Sequence, residues 1–155
     1  MNANADTFDS ASRQEINDLY ARYSLTFDNG DGAEFARLFT EDGQFVRSGV
    51  APVQGSAALA EFARTAAARS PGTRHFVSNI LIEPSDEGAV GTAYVLALRI
   101  GSTVLRLVSM GRYEDVFIRT AQGWRFSKRE FSAFTPPELA GALLATTGTP
   151  TPTAP

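Results

Sequence analysis

An α+β fold is what this chain predicts, with three helices placed before a long, mainly antiparallel sheet. Two observations carry the expectation. Up to about Arg69 the apolar residues recur at helical spacing, whereas from Thr73 onward they form long strand-like runs. The runs are joined by short Gly-bearing connections such as Gly101-Ser102 and Thr120-Ala121-Gln122-Gly123, which bring neighbouring strands together as hairpins. Helices segregated from strands pack on one sheet face, and long strands twist and curl. The expected shape is therefore a cone-shaped α+β barrel, with the three N-terminal helices packed on a strongly curved sheet around an internal pocket.

Taken in order, residues 1–9 are polar and read as a flexible N-terminus. Ser12-Arg13-Gln14-Glu15 fits a capping box, the serine capping while the glutamate reaches back. Ile16, Leu19, Tyr20, Tyr23, Ser24 and Phe27 then mark an amphipathic helix to about Asp28, stopped by Asn29-Gly30-Asp31-Gly32. A short second helix carries Phe35, Leu38 and Phe39. Glu41-Asp42-Gly43 turns the chain into a brief strand over Gln44–Ser48, and Gly49–Pro52 breaks it. Ser56 is placed to cap a third, Ala-rich helix through about Arg69, with Leu59, Phe62 and Ala66 inward. Four strands follow, Thr73–Glu83, Ala89–Ile100, Thr103–Arg119 and Trp124–Phe134. Beyond Phe134 the pattern allows a helical turn through Leu144 and then a Pro/Thr-rich tail, so residues 10–134 form one domain and 135–155 lie outside it.

Composition narrows the function classes. The 155 residues are 43% hydrophobic and 20% charged, ordinary values for a soluble domain with a substantial core. A net charge of −3 without a Lys/Arg block argues against a nucleic-acid or anionic-membrane surface. No apolar run approaches the roughly 20 residues that span a bilayer, and no basic-then-apolar leader is visible, so a cytoplasmic location is expected. With no cysteine and one histidine, neither disulfides nor a converging metal-ligand set is expected, and no phosphate-cradling loop or nucleophile elbow is present. No cofactor is implied.

That single histidine is the chemical focus. His75 lies near the start of the strand opened by Pro71-Gly72, and alternation puts His75, Val77, Asn79 and Leu81 on one face. It is either a buried histidine satisfied by a partner or a general base lining a pocket, since imidazole titrates near neutral pH. Asp28, at the C-terminal end of the first helix, is unfavourable for the helix dipole, yet beside Asn29-Gly30 it also reads as a simple turn former. Tyr23 and Tyr20 read as core aromatics. On the last strand, alternation groups Arg125, Ser127 and Arg129 on one face. Arg129 is either a solvated strand charge, paired with Glu130 or Glu114, or an inward cation facing a wet pocket.

The spacing of Tyr23 and Asp28, the stretch Phe39-Thr40-Glu41-Asp42-Gly43, Arg74-His75 with Ser78-Asn79, and Gly111-Arg112-Tyr113 through Gly123-Trp124-Arg125-Phe126 resemble the SnoaL-like branch of the nuclear-transport-factor-2-like superfamily. The resemblance covers roughly residues 10–134, and its nearest pattern is that of hexachlorocyclohexane dehydrochlorinase, scytalone dehydratase and bile-acid dehydratase. It implies a cone pocket holding an Asp–His pair, with His75 as the base and Asp28 orienting it. It further implies that Tyr23 and Arg129 assist the leaving group. The second histidine of scytalone dehydratase is missing, and Leu98 stands near where bile-acid dehydratase has a further acidic residue.

These features together predict a cofactor-independent lyase or isomerase of dehydratase or cyclase type, acting on a small, apolar, cyclic molecule. The alternative is a non-catalytic binding or accessory module of the same fold, like the small subunit of an aromatic-ring dioxygenase. An epoxide-hydrolase type would need an Asp-Arg-Asp set, which the pattern does not locate. Apolar residues on both faces of Tyr94–Ile100 and Thr103–Met110 predict a homodimer or homotrimer through the sheet.

Overall fold

The computed structural model describes residues 8–134; the expected loose residues up to 7, the turn through Leu144 and the tail lie outside the described residues. The elements are α1 (Ser10–Asn29), α2 (Gly32–Arg37), β1 (Phe39–Arg47), β2 (Val50–Gln54), α3 (Ser56–Arg69), β3 (Thr73–Ser85), β4 (Gly88–Ile100), β5 (Leu105–Thr120) and β6 (Gly123–Ala133). The sheet has six strands in the order β2-β1-β6-β5-β4-β3. Only the β1–β6 pair is parallel. The α+β fold with helices packed on a mainly antiparallel sheet is as expected, but the sheet is open, with β2 and β3 at its edges, and the helices supply the remaining wall.

The core lies between this sheet and α1. Ile16, Leu19, Tyr20 and Tyr23 present the helical stripe to Tyr113, Phe117, Trp124 and Phe126, all of them buried. Burying each such side chain contributes about 1.5–3 kcal/mol. Along β4 the inward positions are Ala89, Gly91, Ala93, Val95 and Ala97, small side chains that let the helix layer approach. At Gly91 an added Cβ would lie 2.4 Å from the Tyr20 hydroxyl, so only glycine fits.

Local details depart from the expectations in instructive ways. The N-cap of α1 is Asp9, whose carboxylate accepts the Ser12 N–H at 2.8 Å, with Phe8 packed edge-on to Trp124 at 6.0 Å. Glu15 is therefore not half of a capping box; it accepts the Trp124 N–H at 3.0 Å and ties α1 to β6. Gly55, at φ 86°, holds the N-cap of α3 in place of Ser56, and no side chain caps that helix. Phe39 opens β1 rather than closing α2, and Glu41-Asp42-Gly43 lies within that strand. Gly49–Pro52 does not end the strand region, because a turn with Gly49 at φ 77° folds it back as β2. Pro52 is tolerated there because β2 is an edge strand.

Two register shifts redirect side chains. In β3 the shift falls between Ser78 and Leu81, with Asn79 at φ 53°. Thr73, His75 and Val77 face inward before it, Ile80 and Ile82 after it, and Leu81 turns outward. In β6 Phe126 is opposite Phe117 and Lys128 opposite Val116, so Ser127 is an extra residue. Arg129 consequently shares the buried face with Trp124 and Phe126 instead of lying with Arg125 and Ser127.

Candidate functional site

Helix α1 lies alongside β3. At one end the Arg13 guanidinium donates to the Ile82 carbonyl, and at the other Asp28 meets His75. The lengths agree, since the helix from Arg13 to Asp28 spans about 22 Å and the strand from His75 to Ile82 about 23 Å. Gly30, at φ 70°, then closes α1 with its N–H on the Phe27 carbonyl at 3.1 Å, so the Asn29-Gly30 stop fixes where the carboxylate stands.

The Asp28 carboxylate accepts two hydrogen bonds from one residue, the His75 backbone N–H at 2.8 Å and the ring Nδ1 at 2.5 Å. Those bonds offset the unfavourable dipole at a helix C-terminus, about 0.3–1 kcal/mol. A carboxylate only accepts, so the proton of a neutral imidazole sits on Nδ1 and Nε2 keeps its lone pair. Phe27 packs edge-on to the imidazole at 5.3 Å. The side chains are 6% exposed for Asp28 and 16% for His75, enough for a small molecule to reach the ring and too little for bulk water to surround it.

Both residues line a cavity of about 450 Å³. Tyr23, Phe27, Phe45, Phe62, Tyr113 and Phe131 form its aromatic walls, and the exposed Arg47 and Arg69 stand where it meets solvent. The Thr73 hydroxyl, also on the lining, is buried without a protein partner. Such a lining suits a small, mostly apolar ligand with few polar groups.

Tyr23 sits one helical turn before Phe27 and Asp28, its ring stacked on Phe27 at 5.8 Å. Arg129 takes a different place from the one expected. It is fully buried, does not line the cavity, and forms a two-pronged ion pair with Asp115, both N–O distances being 2.8 Å. Its partner is thus neither Glu130, which pairs with Lys128, nor Glu114, which pairs with Arg112. Burial works against the Arg129 charge, but Asp115 outweighs it and raises the pKa further. The guanidinium carbon lies 4.1 Å from the Tyr23 ring centroid and 3.9 Å from that of Tyr113, so the remaining N–H groups meet aromatic faces rather than an acceptor.

Tyr113 is the site residue that the sequence reading passed over. It lines the cavity from β5, and burial pushes its hydroxyl up to about 12, with the Arg129 charge and a hydrogen bond with Tyr23 holding it from rising further. Burial also raises Tyr23 well above the ordinary phenol value, with Tyr113 adding to the rise. Both therefore remain proton donors at neutral pH. The usable signal was Asp115, two positions from Tyr113 and so on the same strand face, a buried carboxylate calling for a cation. Among the described residues no three His, Asp or Glu side chains converge as a metal site, and no helix is long and apolar enough to cross a membrane.

A model of the SnoaL-like domain family matches residues 9–130 of the chain. Among solved structures, a variant of Rv3472, a function-unknown protein from Mycobacterium tuberculosis, is 29% identical with a TM-score of 0.76, the match covering 83% of this chain and 79% of that one. An NTF2-like protein with a cystatin-like fold from Novosphingobium aromaticivorans is also 29% identical, with a TM-score of 0.74 over 86% of this chain and 89% of its own. ActVI-ORFA from Streptomyces coelicolor is similar in fold, at 23% identity and a TM-score of 0.72 over 81% of this chain and 98% of that one. No curated protein matches the chain.

Proposed function

The chain belongs to the SnoaL-like domain family, and from that premise we propose that it is a cofactor-independent lyase or isomerase whose His75–Asp28 pair moves a carbon-bound proton of a small, largely apolar, cyclic molecule. One observation carries this: the only imidazole of the chain has its Nδ1 on a nearly buried carboxylate at 2.5 Å, on the wall of an aromatic cavity.

In this reaction His75 Nε2 takes the proton and Asp28 stabilises the imidazolium that results, a division of labour worth about 10²–10⁴-fold in rate. Tyr23 handles the substrate oxygen or leaving group, and Arg129 acts on it through the Tyr23 ring. Dehydration, double-bond isomerisation and cyclisation all start with that transfer. The test is proton exchange: cyclic C–H acids are incubated with the protein in D₂O and followed by NMR. Exchange should be lost in His75→Ala and Asp28→Asn while ligand binding persists. Exchange that is absent from wild type, with binding intact, would favour a ligand-holding module instead.

The outer sheet face supports self-association. Phe76, Tyr94 and Met110 are exposed on neighbouring strands, with Phe134 against Tyr94. A homodimer or homotrimer through this face predicts that Phe76→Lys lowers the mass seen by sedimentation, and an unchanged mass would place any interface elsewhere.

A further inference from the structure

The charges on the cavity wall do not cancel. Its one acidic residue, Asp28, is committed to His75, whereas Arg47 and Arg69 line it with no carboxylate partner among the described residues. The two arginines come from separate elements, Arg47 from the end of β1 and Arg69 from the last turn of α3, and both are exposed. Arg69 also suits the negative end of the α3 dipole, but Arg47, on a strand, has no such local role. The positive charge continues along the sheet. Arg99 is the register partner of Thr73, and Arg106 that of Arg99, so the three share one face. Neither of these arginines has a carboxylate partner among the described residues. In a chain of net charge −3, this end of the cavity therefore draws anions against the charge of the whole molecule. Thr73, between Arg69 and His75 in the chain, also lines the cavity; it is 7% exposed, and its hydroxyl is buried with no protein partner. A buried hydroxyl left unpaired is costly, and a ligand acceptor satisfies it.

We propose that Arg47 and Arg69 hold the carboxylate of a cyclic organic acid at the mouth, with the Thr73 hydroxyl donating to the same group and the ring lying between the aromatic walls. The substrate class is thus narrowed from a small cyclic molecule to a cyclic acid. A carboxylate fits better than a phosphate. Guanidinium forks match its planar pair of oxygens. The α3 end beside Arg69 carries the negative pole of its dipole, which disfavours a second negative charge on the ligand. Thr73 precedes His75 by two residues, about 7 Å along the strand, and this sets the distance from the acid group to the carbon that loses its proton. The position of that carbon rests on the proton-transfer function proposed above; selection of the carboxylate stands without it.

The probes are 2-naphthoate and 2-naphthamide, of nearly the same shape and differing in charge at neutral pH. Wild type should bind the acid about tenfold more tightly than the amide by calorimetry in low salt, the joint effect of two exposed charges and one charge-assisted hydrogen bond. The preference should shrink as potassium chloride screens the arginines. The double variant Arg47→Gln, Arg69→Gln should bring the ratio to about one, and each single change, like Thr73→Val, should lower it partway. Because both arginines are exposed, the melting temperature of the double variant should stay near that of wild type, so a lost preference is not a lost fold. No binding of the acid, a ratio near one in wild type, or a ratio that survives the double variant overturns the assignment. Tighter binding of 2-naphthyl phosphate than of 2-naphthoate overturns it in favour of a phosphate site. Deuterium exchange on cyclic C–H acids separates this reading from the proton-transfer function. Exchange without a carboxylate preference removes the arginine pair and leaves the His75–Asp28 dyad, whereas a carboxylate preference without exchange removes the dyad and leaves the arginine pair.

Discussion

Replacing Asp28 by asparagine is the most discriminating change, because the chain has a single imidazole and any histidine signal belongs to His75. In the wild type Asp28 accepts at 2.8 Å from the backbone N–H and at 2.5 Å from Nδ1. Hydrogen bonds to a charged group are worth about 1.5–3 kcal/mol each, and the misplaced helix-end charge returns about 0.3–1 kcal/mol when removed. Asp28→Ala, which leaves both donors unpaired, should therefore cost about 2–5 kcal/mol of stability. Asp28→Asn keeps one acceptor oxygen for the backbone N–H and turns its NH₂ toward Nδ1, so it should cost about 1–3 kcal/mol. Its chief effect is chemical. Facing a donor, Nδ1 must give up its proton, the proton moves to Nε2, and the base is lost with the fold intact. Nitrogen-15 NMR of a histidine-labelled sample reads the tautomer directly: Nδ1–H in wild type, Nε2–H in Asp28→Asn, with proton exchange falling by about 10²–10⁴-fold. A wild-type signal from the Nε2–H tautomer, or an unchanged tautomer in the variant, would refute the orienting role of Asp28.

Three further outcomes follow from the packing. Arg129→Met strands Asp115 in the core and should cost about 3–5 kcal/mol in denaturant unfolding, while the double change Arg129→Met, Asp115→Leu should recover much of it; equal losses in both would mean that the pair is not the coupled unit described. Tyr20, Tyr23 and Tyr113 all have raised hydroxyl values, chiefly through burial, so their protonated forms favour the fold below pH 10 and stability falls as pH rises through and beyond that value. Phenolate absorbance from these three should thus appear together with loss of circular dichroism, and their ionisation in a folded protein would contradict the burial. Gly32→Ala places a Cβ 2.2 Å from the Ala60 carbonyl oxygen, forcing α2 away from α3; a lowered melting temperature is expected, and an unchanged one would show that the two helices can part freely.

How much of this could be read from the chain depends on whether a local rule survived its tertiary setting. The four long strands and the three helices were legible because apolar periodicity there agrees with what the sheet and α1 bury. His75 and Asp28 were legible because one begins a strand and the other ends a helix, positions fixed by Pro71-Gly72 and by Asn29-Gly30. Glu15 was misread because a capping box is a local pattern, while the Trp124 N–H that claims the glutamate is 109 residues away. The β1–β2 hairpin was hidden because Pro52 argues against a strand, and only the edge position excuses it.

The register shifts explain the remaining misses, and they bear on the chemistry. Strict alternation assumes one residue opposite one residue, and nothing in Phe126-Ser127-Lys128-Arg129 announces that Ser127 is extra. Without it, Arg129 would lie on the face opposite Phe126 and Asp115 would be buried alone, an arrangement that costs several kcal/mol. With it, the cation lies under the faces of Tyr20, Tyr23, Tyr113 and Phe126. In β3 the shift at Asn79 lets His75 and Ile82 face the same side at an odd spacing, so one strand gives a polar ring to the cavity and an apolar side chain to the core. Each extra residue thus places a charged or titratable group on the concave face beside an unbroken apolar core. The arginine that family resemblance assigns to the leaving group is thereby held off the cavity, beneath the Tyr23 and Tyr113 rings that line it.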